Sequence, residues 1–188
     1  MPAPVPLSWA RPLLSLPAPV PNITETSHAC HQQAAASGQA SPSGQASAPA
    51  LAHSLAAYPL ATCLDGSPAR YYRRPGTASR FLVFFEGGGF CSSLDDCQAR
   101  TLTRLGSTAQ DGPTMELSRP YFRPEGNPLL GSFTHVYVRY CDGGYYSGER
   151  AVPVAHNGTA LHFRGRWIVE AVLADLQLAR QVVVVSGR

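Results

Sequence analysis

The chain contains no lysine: all fifteen of its basic residues are arginine, set against twelve carboxylates in 188 residues. A Walker loop requires a lysine after its last glycine, so nucleoside triphosphate binding of that kind is excluded. The net charge of +3 is spread as single arginines with no basic block or aromatic interleaving, so nucleic acid is not indicated. No apolar stretch is long enough to span a bilayer. Prolines at positions 2, 4, 6, 12, 17 and 19 interrupt the apolar run that a secretory leader would need. Charge is scarcest at the start: Arg11 and Glu25 are the only charged residues before position 63. That Ala/Ser/Pro-rich segment has no apolar period, and stretches such as Ser37-Gly38-Gln39-Ala40-Ser41 cannot offset their ordering entropy. Residues 1–62 are therefore expected to be a disordered tail or linker, with residues 63–188 holding the foldable part. His28, Cys30 and His31 have a spacing that could hold a metal, but in such a tail they read as solvated chain, and no metal site is expected.

What the chain does contain is an apolar run, Phe81-Leu82-Val83-Phe84-Phe85, that passes through Glu86 into Gly87-Gly88-Gly89. A buried strand followed by side-chain-free backbone is how an oxyanion hole is made, because N–H groups can approach a developing charge only where no Cβ intervenes. A tight turn would also use three glycines, and a phosphate cradle is the other functional reading. The dinucleotide fingerprint is interrupted by Phe90-Cys91-Ser92. A second run, Val182 to Val185, leads into Ser186-Gly187-Arg188 in the manner of a strand entering a G-x-S-x-G elbow. On that reading the nucleophile is expected just after Arg188, and no catalytic residue is assigned within the chain.

Periodicity gives an α/β class. Tyr71–Arg73 and Phe81–Phe85 read as neighbouring strands joined at Pro75-Gly76, and residues 133–140 as a third. Ile168, Val169, Val172, Leu173 and Leu176 recur at helical spacing, and the all-valine run reads as a parallel strand covered on both faces. His135, His156 and His162 could each be a base by residue type. The Ser, Asp, His order of this fold places the catalytic His later, so they are read as structural. Asp95 and Asp96 are adjacent, point in different directions and are expected in a solvated loop. Tyr145, Tyr146 and Ser147 follow the third strand, where functional wall and simple loop packing are both compatible. Five cysteines suit an oxidising compartment or five free thiols, and four of them admit three pairings. The sequons at Asn22 and Asn157 are compatible with secretion.

Cys63-Leu64-Asp65-Gly66-Ser67-Pro68, Glu86-Gly87-Gly88-Gly89-Phe90-Cys91, Arg139-Tyr140-Cys141-Asp142-Gly143 and Ser147-Gly148 occur in one order. With Cys97 and Phe163-Arg164-Gly165, they resemble the pectin acetylesterases and the Notum-type carboxylesterases, and the plant-type enzymes more closely. The resemblance covers about residues 63–187; Phe90 stands where the plant-type enzymes have Trp. It implies an α/β-hydrolase-like, mostly parallel sheet, truncated here before the nucleophile elbow. It also implies disulfides Cys91–Cys97 and Cys63–Cys141 with Cys30 unpaired, Gly88 and Gly89 as oxyanion donors, and Phe90, Tyr145 and Tyr146 at the substrate pocket. The implied activity is ester hydrolysis without metal or organic cofactor, on a pectin-like polysaccharide or other acylated substrate. The enzyme would be secreted or in the cell wall, and monomeric. The 188-residue chain itself is expected to be inactive, and a non-catalytic protein retaining a binding surface is the alternative.

Overall fold

The computed structural model describes residues 48–178 and 182–187. The expectations at Asn22, His28, Cys30 and His31 lie outside these residues. In chain order the elements are β1 (Ala50–Ser54), β2 (Arg70–Arg74), β3 (Thr77–Phe85), α1 (Leu94–Thr101), β4 (Thr114–Met115), a 3-10 turn (Pro120–Phe122), β5 (Phe133–Val138), β6 (Val154–His156), β7 (Thr159–Leu161), α2 (Gly165–Leu176) and β8 (Val182–Gly187). Six strands form one sheet in the order β4-β1-β2-β5-β3-β8, and β6 and β7 form a separate hairpin. Among the described residues no helix is long and apolar enough to cross a membrane.

The sheet is mixed rather than mostly parallel. β1, β2 and β4 pair antiparallel, β2 joins β5 antiparallel, and only β3 runs parallel to its neighbours β5 and β8. β2 and β3 are also not neighbours, because β5 lies between them. Pro75-Gly76 is a crossing past the start of β5, not a hairpin turn: a Cβ on Gly76 would lie 2.3 Å from the Phe133 carbonyl oxygen. The dipeptide reads as a turn either way, since local sequence does not record which strand inserts between its two ends.

The disordered segment expected through residue 62 is corrected at its end. Ala50 is fully buried, Leu51 pairs with Arg73, and the His53 ring stacks on Tyr71 at 4.9 Å. This strand is held by ladder bonds to β2 and β4 and by a small buried residue, so it has no apolar alternation of its own.

Both faces of the central strands are covered, which explains the continuous apolar run of β3. Phe81 and Val83 of β3, Val136 and Val138 of β5 and Tyr71 of β2 pack against Ile168, Ala171, Val172 and Leu176 of α2. Leu82 and Phe84 point to the opposite face, with Tyr72, Phe133, Leu117 and Phe122. Each such aliphatic side chain contributes about 1.5–3 kcal/mol on burial. The α2 face is rotated from the expected stripe: Ala171 is buried and Leu173 is exposed. Asp95 and Asp96 lie in the first turn of α1, not in a loop. The Ser93 hydroxyl caps that turn by accepting from Asp96 N–H at 3.2 Å, and both carboxylates suit the positive end of the helix dipole. The β6–β7 hairpin turns at Asn157 (φ 44°) and Gly158 (φ 78°), a left-handed pair for which Asn-Gly is the sequence signal.

His135 is buried in β5 and held neutral. Its Nδ1 accepts from Arg74 at 2.8 Å and its Nε2–H donates to the Leu130 carbonyl at 2.9 Å. Burial first, with the Arg74 charge adding, pushes its pKa below the ordinary histidine value. A depressed folded pKa gives stability that is present above about pH 6.5 and lost as pH falls through the folded value. Between pH 7 and 5 the wild type should therefore lose more unfolding free energy than His135→Gln, which has no such group to protonate. Urea titrations at the two pH values test this, and equal losses would refute it.

Candidate active site

Parallel strands bring their C-terminal ends together, and that rim is where open α/β sheets collect ligands. Phe85 at the end of β3 pairs with Val138 of β5 on one side and with Gly187 of β8 on the other. Glu86-Gly87-Gly88-Gly89 therefore leaves β3 between the ends of two neighbours. A cleft of about 380 Å³ opens there, lined by Phe84, Glu86, the three glycines, Arg119, Tyr137 and Tyr145.

A buried charge network sets the start of this loop. Glu86 accepts from the fully buried Arg139 guanidinium, from the Tyr140 N–H at 3.0 Å and from Arg104 at 3.0 Å. Arg139 also holds Asp111 at 2.8 Å and the Arg104 carbonyl at 3.0 Å. Glu86 and Arg139 stand in sequence motifs, but the network has no local sequence signal, because their partners come from four separate segments.

Each glycine has its own reason. A Cβ on Gly88 would lie 2.1 Å from the Tyr140 ring, so residue 88 is held small by packing from within the protein. Gly89 has φ +70°, and its Cβ direction is open. Among the described residues, nothing accepts a hydrogen bond from the N–H of Gly87, Gly88 or Gly89. The Gly89 carbonyl, by contrast, is engaged by the Tyr140 hydroxyl, which in turn accepts from Tyr145 N–H at 3.2 Å.

The wall opposite comes from the segment after β5. Tyr145 (φ 52°) and Tyr146 (φ 60°) are consecutive left-handed residues, a conformation costing of order 1 kcal/mol each and tolerated where the surroundings impose it. Asp142 imposes it: one carboxylate oxygen accepts from Gly144 N–H at 3.1 Å and Tyr146 N–H at 2.8 Å. Burial pushes the Asp142 pKa up, with these two bonds opposing. Gly165 at the start of α2 must be glycine, since a Cβ would meet that oxygen at 2.3 Å. The adjoining Arg164 is buried and donates to the Ala151 carbonyl at 2.5 Å and the Thr62 hydroxyl at 3.2 Å, which ties α2 to two loops.

Of the three proposed pocket residues, Tyr145 lines the cleft and is 55% exposed. Phe90 is 60% exposed with its ring 5.8 Å from that of Tyr145, beside the cleft but outside its lining. Tyr146 points inward, its hydroxyl 3.1 Å from the Glu86 carbonyl and 3.2 Å from that of Val138. Among the described residues no histidine lines the cleft: His135 is locked in β5, His156 pairs with Asp95 at 2.6 Å, and His162 lies against Gly66. Disulfides join Cys63 to Cys141 and Cys91 to Cys97, with Cα separations of 4.9 and 5.1 Å. The first binds the β1–β2 connection to the end of β5, and the second binds the glycine loop to α1.

Residues 47–187 match the sequence profile of the family described as Pectinacetylesterase. The chain belongs to this family. Among curated relatives, pectin acetylesterase 4 of Arabidopsis thaliana is 38% identical over 124 residues, covering 62% of this chain and 29% of that protein. Human palmitoleoyl-protein carboxylesterase NOTUM is 32% identical over 120 residues, covering 61% and 23%. The solved structure of the Wnt deacylase Notum from Drosophila superposes with a TM-score of 0.65 at 27% identity, covering 74% of this chain and 43% of that one. The fold is thus α/β-hydrolase-like, and the family is one of ester hydrolases. The chain spans about a quarter to a third of the length of the curated relatives it matches.

Proposed function

We propose that these residues form the oxyanion-hole part of a secreted or cell-wall serine esterase that removes acetyl groups from a pectin-like polysaccharide. The observation that carries this is the glycine loop, which leaves β3 with uncommitted N–H groups beside the end of β8. In this reading the nucleophilic serine follows Arg188. Its hydroxyl attacks the ester carbonyl while a histidine takes the proton, an aspartate orients that histidine, and the N–H groups of Gly88 and Gly89 stabilise the tetrahedral oxyanion. The alcohol leaves with the proton, and water releases acetate by the same route. No metal or organic cofactor is needed, and the enzyme acts as a monomer. Greater identity to the plant acetylesterase than to NOTUM favours acetyl over a long acyl chain. Tyr145 and Phe90 offer flat exposed faces suited to a sugar ring.

Reading the frame past Arg188 is the direct test. A serine within the next residues followed by small residues supports the esterase, and its absence would leave only a binding protein. In the active enzyme, Gly89→Ala places a methyl in open space and forces a left-handed alanine. It should lower kcat by about 10² to 10³ if the residue 89 N–H is displaced. Gly88→Ala drives its methyl into Tyr140 and should cost about 1–3 kcal/mol of stability through overpacking. Parallel melting and kinetic measurements separate the two; an unaltered kcat in Gly89→Ala removes Gly89 from the oxyanion hole.

A further inference from the structure

We infer that Arg100 is the positioning residue of the glycine loop, holding the Gly88–Gly89 peptide so that its N–H faces the cleft. The inference rests on the esterase reading for its functional meaning. Arg100 sits in the last turn of α1. Its Nη1 donates to the Gly88 carbonyl at 2.8 Å and reaches the Gly89 carbonyl at 3.4 Å, and its Nη2 donates to the Phe90 carbonyl at 3.2 Å. Among the described residues it has no carboxylate partner, so its fork is given to the loop backbone.

In a trans peptide the C=O of one residue and the N–H of the next point in opposite directions. Fixing the Gly88 oxygen on Arg100 therefore turns the Gly89 N–H away from Arg100. Arg100 is not part of the cleft lining, while Gly88 and Gly89 are, so the guanidinium lies behind the loop and the cleft in front of it. A carbonyl that accepts from a cation also polarises its own amide, which makes the N–H on the far side a stronger donor. Glycine flexibility gives the clamp its purpose: the Tyr140 hydroxyl also holds the Gly89 carbonyl, but among the described residues only Arg100 donates to that of Gly88.

The helix carrying Arg100 is itself anchored. Cys97 binds Cys91 immediately past the loop, and Gln98 donates to the Thr159 hydroxyl at 2.8 Å on the β6–β7 hairpin. Lysine cannot substitute, because an ammonium is a point donor and cannot match three carbonyls with a planar fork.

The test uses Arg100→Lys and Arg100→Met in the active enzyme with p-nitrophenyl acetate. The expected result is a kcat lowered about 10-fold for Lys and about 10²-fold for Met with KM within about twofold, and partial recovery of Arg100→Met by millimolar guanidinium but not by equal sodium chloride. A merely structural role predicts a lower melting temperature with normal kcat in the folded fraction, and that result would overturn the inference. If the wild type itself does not hydrolyse ester, the esterase reading fails separately. The clamp is then decided on the 15N-labelled chain by residual dipolar couplings of the Gly89 amide. An orientation changed in Arg100→Met upholds the clamp, and one unchanged refutes it. Should Arg100→Met fail to fold, Arg100→Lys provides the same readouts.

Discussion

Replacing Cys63 and Cys141 together by alanine is expected to lower the unfolding free energy by about 4–5 kcal/mol. The bridge spans 78 residues of sequence, and closing a loop of that size removes about that much conformational freedom from the unfolded chain. Both cysteines are fully buried in the cluster beneath α2, so alanine also leaves small voids that add to the loss. The Cys91–Cys97 bridge closes only six residues and is expected to contribute about 2 kcal/mol on the same reasoning. Its effect should instead appear at the glycine loop that it ties to α1. Urea denaturation of the two double variants compares them directly; equal losses would show that loop length does not govern their contributions. For a domain of this size a loss of 4–5 kcal/mol is a large part of total stability, so unfolding of the Cys63/Cys141 variant near physiological temperature is the expected outcome.

Arg139→Met should cost about 3–5 kcal/mol, because it leaves Glu86 and Asp111 buried without the cation between them. Arg139 is fully buried, and Glu86 and Asp111 are nearly so, which separates this case from an exposed ion pair worth a fraction as much. The deficit should shrink in acid, since protonating the two carboxylates removes the uncompensated charges that the variant creates. It should shrink further in the Arg139→Met, Glu86→Gln double variant. Thermal melts at pH 7 and pH 4 check this, and a deficit that does not change with pH would show that packing rather than charge holds this end of the sheet. Because Glu86 opens the glycine loop and accepts the Tyr140 N–H, the same substitution is expected to loosen the loop before it unfolds the sheet.

The sequence by itself determined the elements with a strong local signal. The apolar runs of β3 and β8, the stripe of α2 and the triple glycine are patterns carried by neighbouring residues, and hydrophobic periodicity reports them directly. Motif order alone was enough to indicate the family that the profile match to residues 47–187 shows. Tertiary structure decided what depends on distant partners. β1 exists because β2 and β4 supply its ladder, and β2 and β3 are separated because β5, some fifty residues later, inserts between them. The same holds within the site. The glycines announced themselves by composition, but whether residue 88 is small for the substrate or for the Tyr140 ring is a question of which way a Cβ points, and only packing answers it. Tyr145 and Tyr146 are adjacent in sequence, and two left-handed residues send one to the cleft and the other beneath it. Glu86 and Arg139 stand in motifs and Arg100 in none, but no local pattern gives their roles, because a charge set against backbone carbonyls or against carboxylates from other segments is specified by the fold around it and not by its neighbours in the chain.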